Sequence, residues 1–464
     1  MIKVPRQTKI LLISTYEIGH QPFGLASPAA WLRRDGFSVN AVDCAIQPFP
    51  EQLAREADLV AFYLPMHTAT RLAAGMIPRV WSLNPQTHIC CYGLYAPMND
   101  DFLLQLGVKT IIGGEFETDL RKLAREIDNS NSSIKNIESP HSVTISFERQ
   151  QFVLPDRSDL PELRKYAQLC CKNASPKITG YTETTRGCKH LCRHCPIVPV
   201  YGGRFRVIQP EIVLADIRQQ VEMGAQHITF GDPDFFNGPT HAVKIVRVLH
   251  DEFPQLTYDV TIKIEHLLKH REHLTVLRDT NCAFVTSAVE AVDDQILQIF
   301  DKGHTRADFV ATAKEFSEIG LALNPTFVTF NPWISLGGYF DLLKLLAELN
   351  LVTQVSPIQL AIRLLIPNGS RLLELPETQQ ILGEFNRELL TYEWAHPDPR
   401  MDELQRGVMQ LVDRGSKRNL SRTEIFAHIW DAVNAIAGTD EPLPELAEIP
   451  GRAEIPYLNE PWYC

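Results

Sequence analysis

Apolar residues in the first part of the chain fall into short runs, separated by longer stretches with helical periodicity. Runs at 10–14, 38–43, 59–64, 88–92 and 108–112 have strand length. They end in turn or polar residues such as Ser14-Thr15-Tyr16, Leu64-Pro65-Met66-His67 and Gly113-Gly114-Glu115. Between them, 28–34 and 68–81 are compatible with helices. Strands that alternate with helices pair in parallel, with both sheet faces covered, and ligands of such sheets sit at the strand carboxyl ends. The pattern therefore predicts a doubly wound, Rossmann-like α/β domain over residues 1–130.

The alternation lapses over 131–176, which reads as a linker beginning in the polar loop Asn129-Ser130-Asn131-Ser132-Ser133 and continuing through Pro155-Asp156-Arg157. It resumes with strand candidates at 177–182, 227–230, 257–264, 282–289, 325–330 and 359–366. Helical stretches at 210–223, 242–253, 266–279, 293–300 with 306–319, and 339–349 separate them. Six β/α units over 177–366 predict a partial (β/α)6 barrel of the TIM type, with chemistry at the strand carboxyl ends. Residues 367–464 read as a helical C-terminal region followed by a proline-rich tail.

A length of 464 residues exceeds one ordinary core, in keeping with several domains. The net charge of -11 excludes a broad basic face for nucleic acid. The apolar run at 9–14 is too short for a secretory signal, and no run of about 18 apolar residues would span a bilayer. A cytoplasmic protein with neither membrane nor nucleic-acid partner is expected. Ten cysteines in such a chain point to metal or redox chemistry before disulfides.

Three of the ten stand together. Gly187-Cys188-Lys189-His190-Leu191-Cys192-Arg193-His194-Cys195 gives C-x3-C-x2-C directly after the first predicted barrel strand. Thiolates this close can hold three irons of a cubane cluster, leaving the fourth iron open to chelate a substrate and pass it an electron. The competing reading is a zinc knuckle completed by His190 or His194, although zinc motifs usually come as two separated pairs. Cys90 and Cys91, within a strand, read as small hydrophobes, as do Cys44 and Cys282; Cys170 and Cys171 in the linker make no metal site by adjacency alone.

The triad and its strand–loop setting resemble the radical S-adenosylmethionine (SAM) superfamily over about 177–366. One departure is His194, where an aromatic carbocycle is common before the last cysteine. The resemblance implies a 4Fe-4S cluster on Cys188, Cys192 and Cys195, with SAM bound at the open iron and cleaved to a 5'-deoxyadenosyl radical. It also implies an electron donor such as flavodoxin or ferredoxin. By position at strand ends, Asp232 is the candidate for the methionyl amine and Glu290 for the ribose; the alternative role of each is a helix cap or first-turn charge.

An α/β domain ahead of such a barrel resembles the cobalamin-binding domain of one subclass. Its ligand would meet the strand-end residues Thr15, Tyr16, Gly113 and Gly114. The D-x-H-x-x-G signature that supplies a cobalt ligand is absent, its place taken by Thr15-Tyr16-Glu17-Ile18-Gly19-His20. His20 and His67 read as polar loop residues. The resemblance thus implies a cobalamin-associated radical enzyme that methylates an unactivated carbon of a small molecule or peptide, or performs a related radical reaction. A substrate-docking N-terminal domain and a non-catalytic iron–sulfur protein remain open.

The ending Glu460-Pro461-Trp462-Tyr463-Cys464 resembles the tail of radical SAM proteins that finish in Cys-Sec-Ala-Glu-Pro or Cys-Cys-Ala-Glu-Pro. On that resemblance Cys464 is a candidate redox or substrate-trapping thiol, and the natural product would continue through a recoded stop codon. A free thiol on a frayed tail is the alternative.

Overall fold

Five strands form where the apolar runs predict them: β1 (Lys9–Ser14), β2 (Ser38–Asp43), β3 (Leu59–Tyr63), β4 (His88–Tyr92) and β5 (Thr110–Gly114). The structure, a computed structural model, describes residues 7–131, 142–170, 174–446 and 457–458. Successive side chains of β1 go to opposite faces of the sheet. Ile10 and Leu12 pack with Leu25, Leu120 and Ala124, whereas Leu11 and Ile13 pack with Ala73, Ile77 and Val80. Both faces are thus covered by helices, which is why the strands read as continuous apolar runs rather than alternating ones. Cys90 and Cys91 follow the same rule, one thiol in each core, as their reading as small hydrophobes required.

The 131–176 segment differs from its expected irregularity. It supplies β6 (Ser142–Ser146), which pairs in parallel with β5 and completes the sheet order β2-β1-β3-β4-β5-β6. Four of its five residues are exposed, so no buried periodicity announced it. At the end of β5, Gly114 has φ +71, and a Cβ there would sit 2.2 Å from the Ser146 carbonyl oxygen. Gly114→Ala therefore forces a left-handed conformation and a clash with β6 at once. It is expected to lower stability by about 1–3 kcal/mol, checked by denaturant unfolding; an unchanged midpoint would count against this placement.

The second sheet is a curled half-barrel. After β7 (Gln168–Cys170) come β8 (Lys177–Thr182) and the short strands β9 (Thr185–Gly187) and β10 (Phe205–Val207). β11 (His227–Phe230), β12 (Thr257–Thr261), β13 (Cys282–Glu290) and β14 (Leu323–Phe327) follow. β8, β11, β12, β13 and β14 are parallel neighbours, the five staves of the barrel. The predicted sixth strand at 359–366 is reduced to one parallel bridge, Phe330 with Arg363, held by Phe330 N–H to Ile362 O (2.9 Å) and Leu364 N–H to Phe330 O (2.8 Å). A 3-10 turn at Pro357–Leu360 takes the residues that would have lengthened it.

Beyond the barrel, the expected helical region contains the helices Pro399–Lys417 and Arg422–Ala437. It also holds an unanticipated hairpin, β15 (Leu382–Asn386) and β16 (Thr391–Trp394), whose turn reaches the first domain. There His67 Nε2 meets Leu389 O, and Arg71 Nε donates to Glu388 O at 3.0 Å. A last short strand, β17 (Tyr457–Leu458), pairs with β7. Among the described residues, no helix is long and apolar enough to cross a membrane. Cys171 and Cys464 lie outside the described residues.

Candidate active site at the mouth of the half-barrel

The cysteine loop begins where β8 ends. β9 and β10 pair antiparallel, Gly187 opposite Phe205, and close the loop that carries Cys188, Cys192 and Cys195. Gly187 has φ +75 and no room for a Cβ, which would meet Tyr201 at 2.3 Å and the Arg204 carbonyl at 2.5 Å. Backbone contacts to three other segments hold the loop. Arg193 N–H donates to Phe300 O at 2.9 Å, Lys189 N–H to Asn237 Oδ1 at 3.2 Å, and Arg371 Nη1 to Leu191 O at 2.8 Å.

All three thiols are free, and Cys192 is buried. Burial pushes Cys188 up to about 11 and Cys195 up to about 12. Cys188 and Cys195 are half-buried, none of the three thiols is tied in a disulfide, and burial lets Cys188 and Cys195 ionise readily only when a metal takes their charge. That chemistry fits a thiolate-held iron cluster. The two histidines that a zinc knuckle would recruit have other partners. His194 Nε2 sits 3.1 Å from Glu290 Oε1, and His190 Nε2 sits 3.0 Å from His266 Nε2. The His194 ring packs against Phe300 at a centroid distance of 4.7 Å.

Glu290 closes β13 with φ 71, a left-handed conformation uncommon for any residue but glycine. Its buried carboxylate accepts from His194 and from Lys302 Nζ at 3.3 Å. Burial opposes its ionisation, but the Lys302 ammonium and His194 outweigh burial and hold the carboxyl down to about 2. Asp232 is 2 % exposed and braces the start of the loop. Its oxygens accept from Thr184 N–H (2.9 Å) and from the Thr184 and Thr185 hydroxyls (2.6 Å each). Burial, partly countered by these bonds, raises its carboxyl to about 7.

A cavity of about 400 Å³ opens between the two sheets, and strand ends of both line it. Glu17, Tyr63, Gly93 and Gly114 come from the strand ends of the first sheet; Tyr181, Glu183 and Asp232 come from those of the second, and Arg186 from β9 of the β9–β10 pair. Of the four N-terminal positions expected to meet a ligand, only Gly114 lines this space. Thr15 is buried with its hydroxyl donated to Ala69 O at 2.8 Å, and Tyr16 is buried in the first domain. Gly113 backs onto Pro97, which a Cβ would approach to 2.7 Å.

Sequence reasoning missed Arg186, two residues before Cys188. Its guanidinium lies 2.7 Å from Glu117, 2.7 Å from Glu183 and 3.6 Å from Glu115. It also stacks 4.7 Å from the centroid of the Phe116 ring and 5.0 Å from that of Phe152. One cation thus ties the end of β5 to the root of the cysteine loop. Three carboxylates exceed one guanidinium, and burial raises Glu115 to about 7 despite Arg186. The folded state therefore holds the Glu115 proton more tightly than the unfolded chain does. Between the ordinary value of 4.5 and about 7, rising pH costs stability, which a glutamine at this position would not lose. Glu115→Gln is expected to gain on the wild type by up to about 3 kcal/mol across that window, measured by unfolding at several pH values; a constant difference would refute the assignment.

Residues 182–334 match the model of the Radical SAM superfamily. The chain carries a radical SAM domain. That domain holds β9 to β14, the whole cysteine loop, and both Asp232 and Glu290. Over 158 residues the chain is 27% identical to the tRNA-2-methylthio-N(6)-dimethylallyladenosine synthase of Desulfitobacterium hafniense, covering 32% of this chain and 34% of that one. Over 294 residues it is 24% identical to the hopanoid C-3 methylase of Methylococcus capsulatus, covering 61% and 56%. It therefore spans between about a third and a little over half of the length of these curated relatives. Among solved structures, the cobalamin-dependent SAM radical enzyme OxsB with aqua-cobalamin bound aligns at TM-score 0.72 and 14% identity, covering 93% of this chain and 72% of that one. The radical SAM methyltransferase TsrM from Kitasatospora setae, with cobalamin and a 4Fe-4S cluster, aligns at 0.56 and 16% identity, covering 74% and 70%. At these identities the likeness is one of fold, and it extends through the N-terminal sheet as well as the radical SAM domain.

Proposed function

We propose that this chain is a cobalamin-dependent radical SAM enzyme that methylates an unactivated carbon. The carrying observation is that the strand ends of the Rossmann-like sheet and of the half-barrel line one shared cavity beside the cysteine loop. Two of the similar proteins are hopanoid and radical SAM methyl-transferring enzymes by name, and two carry cobalamin in their structures.

In this reading Cys188, Cys192 and Cys195 hold the 4Fe-4S cluster, and Gly114, with Gly93 and Tyr63, gives cobalamin a flat approach to the first sheet. When bound, the cluster with SAM supplies a hydrogen-abstracting radical, and cobalamin supplies a methyl group. The chain's own residues position and enclose. Glu290, kept ionised by Lys302 and His194, offers a carboxylate to the ribose hydroxyls of SAM. Asp232 holds the root of the loop through Thr184 and Thr185. Phe116, Tyr181, Tyr201 and Phe230 wall the cavity and exclude water from it. The substrate is a small molecule or peptide, and a flavodoxin or ferredoxin in the cytoplasm delivers the electron.

Anaerobic reconstitution with iron, sulfide, hydroxocobalamin and reductant tests this. Cobalamin retained through gel filtration, and 5'-deoxyadenosine formed from SAM, are the expected results. No 5'-deoxyadenosine with an intact cluster would end the radical reading, and no retained cobalamin would end the methylation reading. Glu290→Gln, which keeps the shape and removes the charge, is expected to raise the KM for SAM about tenfold with the cluster spectrum unchanged. An unchanged KM would remove Glu290 from the SAM site.

A further inference from the structure

One buried cluster beside the cysteine loop has no part in this chemistry. His190 lies between the first two cysteines, Asp234 follows β11, and His266 lies in the helix Ile264–Lys269 after β12. One donor atom from each falls within 4.8 Å of the other two. The Asp234 and His266 side chains are 1% exposed, and that of His190 is 12% exposed. Asp234 Oδ2 stands 2.8 Å from His266 Nδ1 and 3.7 Å from His190 Nε2. Despite the closeness of the first pair, neither Asp234 Oδ2 nor His266 Nδ1 makes a hydrogen bond. A buried polar atom without a partner calls for an explanation, and an ion in the space between two such atoms is one.

We propose that His190, Asp234 and His266 bind one divalent first-row metal ion, zinc or ferrous iron, at a site separate from the cysteine triad. Two imidazoles and a carboxylate are the donors such ions take, at bonds of about 2.0–2.2 Å. The 3.7 Å separation of His190 from Asp234 suits two ligands on one ion, and the 2.8 Å Asp234–His266 pair would open toward the about 3.4 Å of tetrahedral neighbours on binding. Three protein ligands leave a fourth position for water. Asp234 Oδ1 accepts from Phe236 N–H at 2.9 Å, which fixes the carboxylate in the orientation a ligand needs. The opposing charge is Lys263, 3.2 Å from His190 Nδ1, and Glu265 at 3.0 Å from Lys263 offsets it.

The competing arrangement of the same groups is a hydrogen-bonded relay from Lys263 through His190 and His266 to Asp234. It accounts for the contact of 3.0 Å between the two Nε2 atoms, but it leaves the misaligned Asp234–His266 pair without a cause. An ion accounts for that pair and also pins the cysteine loop to the ends of β11 and β12.

The decisive measurement separates this site from the thiolates. With Cys188, Cys192 and Cys195 all replaced by alanine, the full chain is titrated anaerobically with cobalt(II). Uptake of about one equivalent, with absorption of nitrogen and oxygen ligation and no thiolate charge-transfer band, is expected. Adding Asp234→Asn, which keeps the bond to Phe236, or His266→Gln is expected to weaken binding at least ~100-fold. No stoichiometric uptake, or uptake indifferent to both changes, overturns the site in favour of the relay. The reconstituted wild-type holoprotein gives a second reading that needs no variant to fold. One zinc or iron beyond the ~4 irons of the cluster supports the site, and cluster iron alone overturns it. Because cluster sulfide and 5'-deoxyadenosine are measured separately, failure here leaves the radical reading standing.

Discussion

Cys192→Ala is expected to abolish the cluster's visible absorbance and 5'-deoxyadenosine formation together, each by at least ~100-fold, in protein that still folds. Cys192 is the most buried of the three thiols, at 7% exposure, and sits in a loop fixed by backbone contacts to Phe300, Asn237 and Arg371. Alanine removes one sulfur and none of those contacts, so the loss of stability should be small beside the loss of iron. Cys188→Ala and Cys195→Ala are expected to behave alike, since a cubane with two protein thiolates is not retained. Cys91→Ala is the control. It removes a fully buried thiol from the first sheet, where the side chain packs with Ile89 and Ile111, and it should leave iron content unchanged. If the triad variants kept wild-type iron and sulfide, the cluster assignment would be lost, and with it the role proposed for Glu290.

What could be read ahead of the structure was local. The triad was legible because its chemistry lies within one loop, and the first sheet because burial on both faces makes each strand a continuous apolar run. Asp232 and Glu290 were legible as strand-end carboxylates, although the hydrogen bonds that commit Asp232 to Thr184 and Thr185 were not. Elements without a periodic signal were lost. β6 exposes most of its side chains, and β9 and β10 are three residues each. The β15–β16 hairpin fell inside a region read as helical. The sixth barrel strand failed in the other direction: an apolar run at 359–366 was buried by loop packing and a single bridge. Contacts between distant segments were also invisible. Nothing near Arg186 announces that its acidic partners include residues 115 and 117, and nothing near Glu17 announces Tyr63 across the same cavity.

Arg186→Ala is expected to destabilise the protein by about 3–5 kcal/mol at neutral pH, the cost of leaving buried carboxylates without their cation. The guanidinium is 6% exposed, and its partners Glu117, Glu115 and Glu183 are 0%, 1% and 12% exposed. The sign of the pH dependence identifies the mechanism. Burial opposes ionisation of Glu117, and Arg186 reverses this, keeping its carboxyl below the usual range. A group so depressed contributes stability above its unfolded pKa and loses it as pH falls. Without Arg186 the carboxyls must take up protons to stay buried, so the deficit of the variant should be greatest at pH 7 and above and shrink in acid, below the ordinary value of 4.5. Adding Glu117→Gln to Arg186→Ala should restore part of the loss, because it removes a charge that has become unpaired. Arg186→Lys should fall between, since an ammonium keeps the charge but not the fork that reaches Glu117 and Glu183 together. Denaturant unfolding of the reconstituted protein at several pH values measures all three. A deficit below about 1 kcal/mol at neutral pH, or one that grows toward acid, would mean that this ion cluster does not fasten the cysteine loop to the first domain.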